Sequence, residues 1–195
     1  MINERASFTS RVLALAAIPV VAGALMAGCG GGGGATGGTT PTTDGGGAEA
    51  TEGKAAAELD ATPVTGEGPK TLADAKGKVV IVDFWATYCD PCRKSFPKYQ
   101  EMVDQFGGDL AVIAVSVDDP SDVQEEKLKE FANETGVKFS IVWDKDHKTA
   151  GKYNPPKMPT SFIIDKDGNI VHRHAGYESG EEDKIADEVK ALLGK

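Results

Sequence analysis

A run of apolar residues that ends just before two closely spaced cysteines constrains the fold of this chain most strongly. Residues 79–84 are apolar except for one aspartate, which is typical of a central strand covered on both faces. Cys89 and Cys92 follow, and apolar residues at helical spacing predict a helix over about 91–106. The unpaired N–H groups and the peptide dipoles at a helix start stabilise a cysteine as its thiolate. A second cysteine one turn later can attack a mixed disulfide, so this pair can cycle between dithiol and disulfide.

Asp83 is the one polar residue of this predicted strand. Burial of an unpaired carboxylate raises its pKa toward neutrality. Such a carboxyl group can take the proton of Cys92 during exchange and return it afterwards. The alternative is a structural role, in which Asp83 pairs with Lys78 or with a loop amide.

The rest of the chain alternates predicted strands with predicted helices. Strands are expected at 110–117, 139–143, 160–165 and 170–175, and helices up to about Thr135, over 148–153 and after Ser179. Asp167-Gly168 is typical of a hairpin turn between the last two strands. Strands that alternate with helices and end in a hairpin predict an α/β fold with a mixed central sheet and helices on both faces.

Local signals predict how the helices begin and bend. Ser121 with Gln124, and Ser179 with Glu182, have the spacing of capping boxes. Pro97 falls inside the first helix and should kink it, because the apolar period continues beyond it.

The N-terminus has the pattern of an export signal. Positive charge precedes an apolar run over 12–27 that is shorter than the roughly 20 residues needed to cross a bilayer. The run ends in Leu25-Met26-Ala27-Gly28-Cys29, which resembles a bacterial lipobox, with Met26 where leucine is usual. This resemblance implies a signal peptide over 1–28 and a lipid on Cys29. A plain secretory signal with a chance cysteine and an uncleaved membrane anchor are the alternatives.

Composition divides the remaining chain into two parts. Residues 29–58 are rich in Gly, Thr and Ala and predict a disordered tether, whereas 59–195 can form one folded domain. The net charge of −9 argues against nucleic acid as a partner, because neutralising phosphates requires clustered Lys and Arg.

Several motifs of the predicted domain together resemble the thioredoxin superfamily. They are Asp83-Phe84-Trp85-Ala86, Cys89-x-x-Cys92, Pro97, Met158-Pro159-Thr160 and Gly176. The membrane-tethered ResA/TlpA-type thiol–disulfide oxidoreductases are the most similar branch, with an inserted helix between the second and third of the strands predicted here. The resemblance implies a thioredoxin-like domain that needs no organic cofactor and no metal.

The resemblance also implies roles for individual residues. Cys89 is then the nucleophile, Cys92 the resolving thiol and Asp83 the proton carrier. Pro159 corresponds to the cis-proline that faces the redox pair, and the backbone of Met158 would pair with a substrate chain as an added strand. The surface expected to bind substrate comprises Trp85, Asp90, Pro91, Met158, Pro159 and Thr160.

Two residues depart from the ResA/TlpA pattern. Asp83 matches thioredoxin, whereas the ResA/TlpA type often has Asn, and Asp90 stands where Pro or Gly is usual. A carboxylate beside Cys89 disfavours its thiolate and so favours a reductant over an oxidant. Asp90 can instead accept N–H groups of the helix start.

By analogy with the family, we expect a monomer that reduces disulfides of exported proteins, for example apocytochrome c in cytochrome c maturation. Its electrons would come from a membrane donor of the DsbD/CcdA type. We expect the domain to face the periplasm or the outer side of the membrane that carries its lipid.

Other functions have weaker signals. His172 and His174 lie on the same side of one predicted strand and could bind a metal with help. The alternative functions are a lipoprotein that handles copper on the two thiolates and a redox-inert scaffold lipoprotein. A peroxiredoxin would have Pro and Thr or Ser where Trp85 and Ala86 stand.

Overall fold

The computed structural model describes residues 50–195, which form a six-stranded sheet with four α-helices. The strands are β1 (Thr62–Thr65), β2 (Val79–Trp85), β3 (Leu110–Ser116), β4 (Ser140–Trp143), β5 (Thr160–Ile164) and β6 (Ile170–Ala175). The helices are α1 (Asp90–Phe106), α2 (Glu125–Thr135), α3 (Lys148–Tyr153) and α4 (Glu181–Leu193).

The strands lie in the order β1-β4-β3-β2-β5-β6. The three central strands β4, β3 and β2 are parallel, while β1, β5 and β6 pair antiparallel with their neighbours. Every residue of β2 and β3 is buried, which explains why both strands are almost continuously apolar. The predicted mixed sheet is confirmed.

Helices cover both faces of the sheet. The apolar residues at odd positions of β2, from Val79 to Trp85, share a core with α1, α2 and α4. The residues at even positions, from Val80 to Phe84, share the opposite core with α3. This division follows from the alternation of side chains along a strand. It places Asp83 on the α1 side.

The structure corrects the two predicted capping boxes. Gln124 is the N-cap of α2 and Gly180 that of α4, and neither helix has a side-chain cap. The N–H group of Ser121 instead bonds the Asp119 carboxylate at 2.8 Å, in a turn that precedes the helix. Ser179 likewise lies outside its helix, because Gly180 intervenes with a left-handed backbone.

The domain begins before the boundary predicted at residue 59. Residues 50–58, here called the strap, lie against the edge strand β6. Ala50 is buried, and Gly53 and Lys54 exchange backbone hydrogen bonds of 2.7 and 2.9 Å with Ile170. This part of the predicted tether therefore belongs to the folded domain.

The edge strand β1 was not predicted from the sequence. The predicted signal peptide, the predicted lipidation site at Cys29 and most of the predicted tether lie outside the described residues. Across residues 50–195, no helix combines the length and apolar character that crossing a membrane requires.

Candidate active site

Cys89 and Cys92 lie at the start of α1 and form a disulfide with their Cα atoms 5.3 Å apart. Cys89 is the N-cap residue, and its sulfur accepts the N–H group of Cys92 at 3.2 Å. Cys89 is 6% exposed and Cys92 is fully buried. The N-terminal sulfur of the pair is thus the one that another molecule can reach.

The loop that leads into Cys89 is held by a buried carboxylate. Asp118 accepts the N–H group of Thr87 at 3.0 Å and its hydroxyl at 2.7 Å. Ser116 donates a further hydrogen bond of 2.8 Å to the same carboxylate. These bonds fix the backbone between β2 and the redox pair. The sequence analysis did not single out Asp118.

Asp83 is fully buried and its hydrogen-bond partner is Ser161, whose hydroxyl donates to Oδ1 at 2.6 Å. The alternative partners Lys78 and a loop amide are therefore not the ones that Asp83 uses. Oδ2 has no hydrogen-bond partner within the described chain. Burial raises the pKa of Asp83 to about 7, against the opposing effect of the Ser161 and Tyr99 hydroxyl groups. The carboxyl group can therefore gain or lose a proton near neutral pH.

The loop before β5 carries the predicted cis-proline. The Met158–Pro159 bond is cis, as predicted. Thr160 pairs with Phe84 in the sheet, so this loop lies at the carboxyl end of β2, the end from which the chain continues to the cysteines. The Pro159 carbonyl accepts the Gly176 N–H group at 2.7 Å.

Gly176 has a backbone conformation that favours glycine. Its φ is +85°, and a Cβ atom there would approach only the flexible end of the exposed Lys157 side chain, which can move away. The positive φ is therefore the reason for glycine at this position.

The residues predicted to bind substrate divide by exposure. Asp90 is exposed and Pro91 and Met158 are half-buried, whereas Trp85, Pro159 and Thr160 are buried. Trp85 is a core residue, with ring centroids 5.0 Å from Phe96 and 4.5 Å from Phe131. The assignment of all six residues to substrate binding stays a prediction.

Tyr88 was missed in the sequence analysis. It is 72% exposed and directly precedes Cys89. Its position between the strand and the cysteines was the available signal, because a large apolar side chain at a polar loop suggests a contact surface.

The two strand histidines form a polar cluster with α4. His174 is 6% exposed, and its Nε2 lies 2.7 Å from Glu188 and its Nδ1 3.4 Å from Glu181. His172 is more exposed and lies 3.9 Å from Glu188. Between residues 50 and 195, no group of three or more His, Cys, Asp or Glu side chains has an arrangement that could hold a metal ion.

Comparison with known proteins agrees with this geometry. Over 117 residues the chain is 38% identical to the thiol-disulfide oxidoreductase ResA of Bacillus thuringiensis (strain Al Hakam), and the match covers 60% of this chain and 66% of that protein. The chain thus spans just under two thirds of that relative's length.

Solved structures show the same architecture. A candidate thiol:disulfide interchange protein DsbE from Chlorobium tepidum superposes with a TM-score of 0.65 at 29% identity, over 74% of this chain and 99% of that one. The exposed lipoprotein thioredoxin of Streptococcus pneumoniae strain TIGR4 gives a TM-score of 0.57 at 29% identity, over 69% and 99%. The AhpC/TSA family matches residues 53–173. The chain therefore belongs to the AhpC/TSA family and has the thioredoxin-like fold that the sequence resemblance predicted.

Proposed function

We propose that this chain is a protein-disulfide oxidoreductase that exchanges two electrons between its cysteine pair and a disulfide of another protein. The observation that supports this most is the position of Cys89 as the N-cap of α1, with Cys92 buried one turn later. The relative named thiol-disulfide oxidoreductase and the structure named for disulfide interchange add support.

The reaction begins from the reduced pair. The Cys89 thiolate, favoured by the helix start, attacks one sulfur of a substrate disulfide. A mixed disulfide forms, the substrate S–S bond breaks, and the other substrate sulfur leaves as a thiolate.

Cys92 completes the transfer. Its thiol loses a proton to the Asp83 carboxylate, and the resulting thiolate attacks the Cys89 sulfur of the mixed disulfide. The substrate leaves with two thiols after protonation, and the Cys89–Cys92 disulfide remains. An external dithiol must then reduce this disulfide for a further cycle.

The contact surface for substrate surrounds Cys89. Tyr88 has an exposed aromatic side chain and Asp90 an exposed carboxylate, while Met158 is half-buried. An extended substrate segment would pair with the Met158 backbone as an added strand. Its disulfide would then lie over Cys89.

The favoured direction is reduction of the substrate. Asp90 is exposed in the first turn of α1, directly after Cys89. Negative charge beside the nucleophile disfavours its thiolate and so favours the oxidised pair. The reduced pair is consequently a better electron donor.

The setting is the cell envelope. A lipid on Cys29 would anchor a monomeric domain to a membrane, facing the periplasm or the outer side. Its substrates would be exported proteins, such as those of cytochrome c maturation, and its electrons would come from a membrane donor of the DsbD/CcdA type. The lipobox-like sequence before Cys29 and the similarity to an exposed lipoprotein thioredoxin support this setting.

Turnover of insulin disulfides with dithiothreitol as reductant tests the chemistry. We expect Cys89→Ser to abolish turnover and Cys92→Ser to accumulate mixed disulfides that are visible on a non-reducing gel. Cys29→Ser is the matched control and should leave turnover of the purified protein unchanged. Persistent turnover without Cys89 would overturn the proposal, and Cu(I) binding without turnover would favour the copper-handling alternative.

Two further measurements test direction and setting. The reduction potential of the pair, equilibrated against glutathione, should rise when Asp90 is replaced with Pro. Radiolabelled fatty acid fed to cells that express the chain should label it, and Cys29→Ala should remove the label. A lower potential after the Asp90 change, or a label that survives the Cys29 change, would contradict these parts of the proposal.

A further inference from the structure

The buried carboxyl group of Asp83, on the α1 side of β2, lies at the end of a chain of two hydroxyl groups. The Ser161 hydroxyl donates to Asp83 Oδ1 at 2.6 Å, and the Tyr99 and Ser161 hydroxyl oxygens are 2.8 Å apart. The three side chains are at most 2% exposed. Protein groups, rather than bulk solvent, therefore determine the orientation of this carboxyl group.

Hydrogen-bond chemistry determines which group donates in each of these two hydrogen bonds. An ionised carboxylate can only accept, so the Ser161 proton points at Asp83. The Ser161 oxygen is then free to accept, and the Tyr99 hydroxyl donates to it. Both hydroxyl groups therefore stabilise the charged form of Asp83.

The two oxygens of Asp83 differ as a result. Oδ1 is occupied by Ser161, while Oδ2 is buried without a partner within residues 50–195. A proton that binds at Oδ2 leaves the hydroxyl chain intact, whereas a proton at Oδ1 would require both hydroxyl groups to reverse. Oδ2 is thus the oxygen at which the proton is gained and lost with least rearrangement.

The fold builds this arrangement from three elements. Asp83 and Ser161 are direct partners across the β2–β5 ladder, which places their side chains on the same face. Tyr99 lies on α1, two turns after Cys92. The helix that carries the resolving cysteine thus also carries the end of the hydroxyl chain.

We propose that Ser161 and Tyr99 are positioning residues of the redox site, which hold Oδ1 of Asp83 and leave Oδ2 as the proton-exchanging oxygen. The inference deepens the proposed function, since it rests on Asp83 as the proton carrier of the exchange. The charged and titratable groups near these hydroxyl groups are the redox pair on α1, the α4 residues Glu181 and Glu182, which act on Tyr99, and the buried His174 of β6, which is the cross-strand partner of Ser161.

A small cavity beside these hydroxyl groups is lined by a residue that can serve as a matched control. The cavity, of about 10 Å³, is lined by Tyr99, Ser161 and Pro159 and also by Tyr177. The Tyr177 hydroxyl interacts with Glu182, whereas the partners of Ser161 are Tyr99 and Asp83. Tyr177→Phe therefore removes a hydroxyl group from the same cavity without breaking the chain to Asp83.

The test is a titration of the Asp83 carboxyl carbon by ¹³C NMR in the full-length oxidised protein, which needs no substrate. Ser161→Ala should raise the midpoint by about one pH unit or more, because a hydrogen bond to a charged group is worth at least that much. Tyr99→Phe should raise it by less. Ser161→Thr, which keeps the hydroxyl group, and Tyr177→Phe should titrate like the wild type.

The outcomes separate this inference from the proposed function. Unchanged midpoints in both Ser161→Ala and Tyr99→Phe would overturn it, and so would an equal shift in Tyr177→Phe. Tyr99→Phe removes one oxygen and keeps the inference testable if Ser161→Ala does not fold. If the midpoints move as expected but the pH profile of insulin reduction does not, the positioning role stands and the proton role of Asp83 fails.

Discussion

Replacing Asp83 with asparagine should stabilise the oxidised protein in a strongly pH-dependent way. The pKa of Asp83 is raised from 3.8 to about 7 by burial. A group whose pKa is raised on folding binds its proton more tightly in the folded state, so its contribution to stability is present at low pH. That contribution is lost as pH rises from about 4 through about 7. At 1.36 kcal/mol per pKa unit, the loss amounts to about 4 kcal/mol.

Asparagine has nearly the same shape as aspartate and cannot ionise. Its carbonyl can still accept the Ser161 hydroxyl group. The free energy of unfolding of Asp83→Asn should therefore exceed that of the wild type by about 4 kcal/mol more near pH 8 than near pH 4. Other groups titrate alike in both proteins and cancel in this difference.

Urea unfolding of the oxidised proteins, followed by tryptophan fluorescence at several pH values, measures the difference. Asp183→Asn, which removes an exposed carboxylate from α4, is the control and should not reproduce the trend. A difference between Asp83→Asn and the wild type that stays constant from pH 4 to pH 8 would refute the reasoning. If the reduction rate of the stabilised variant is also unchanged, Asp83 is not the proton carrier.

Three further predictions concern the groups that support the site. Phe131→Ala should lower the free energy of unfolding by about 3–5 kcal/mol, because it removes the ring that packs against Trp85 and leaves a cavity in the core. A loss below about 1 kcal/mol in urea unfolding would contradict this. Gly176→Ala should cost about 1–3 kcal/mol, because its positive φ is strained for a residue with a side chain; wild-type stability in urea unfolding would contradict it. A chain that starts at residue 59 should unfold at lower urea concentration and self-associate in sedimentation experiments, because the edge of β6 loses the strap; a chain that starts at residue 50 is the control, and identical behaviour of the two would contradict the prediction.

The redox centre could be predicted from the sequence because its signals are local. The apolar run over β2 has the length and composition of a strand buried on both faces, and the two cysteines fall where that strand gives way to a helix. The cis bond at Pro159 followed from the resemblance and is confirmed. In each case neighbours in sequence are also neighbours in space.

The parts that were missed depend on contacts between distant segments. The Tyr99–Ser161 bond joins residues that are 62 positions apart, so no local pattern of the sequence indicates it. The edge strand β1 is short and contains Pro63, so its pairing with β4 left no local signal. The capping box at Ser121 failed because its N–H group bonds the neighbouring Asp119 in a turn.

The strap has a mechanical consequence. Its backbone makes hydrogen bonds at separate points, beginning with the bond from Ala50 to the Lys152 carbonyl at 3.2 Å and ending with the bond from Ala56 to the Gly168 carbonyl at 2.9 Å. Ala50, Ala56 and Ala57 also pack against the core. A force applied at residue 50 would act on these contacts one after another before it reaches the strands of the sheet. Full release of residues 50–58 would add about 30 Å of reach.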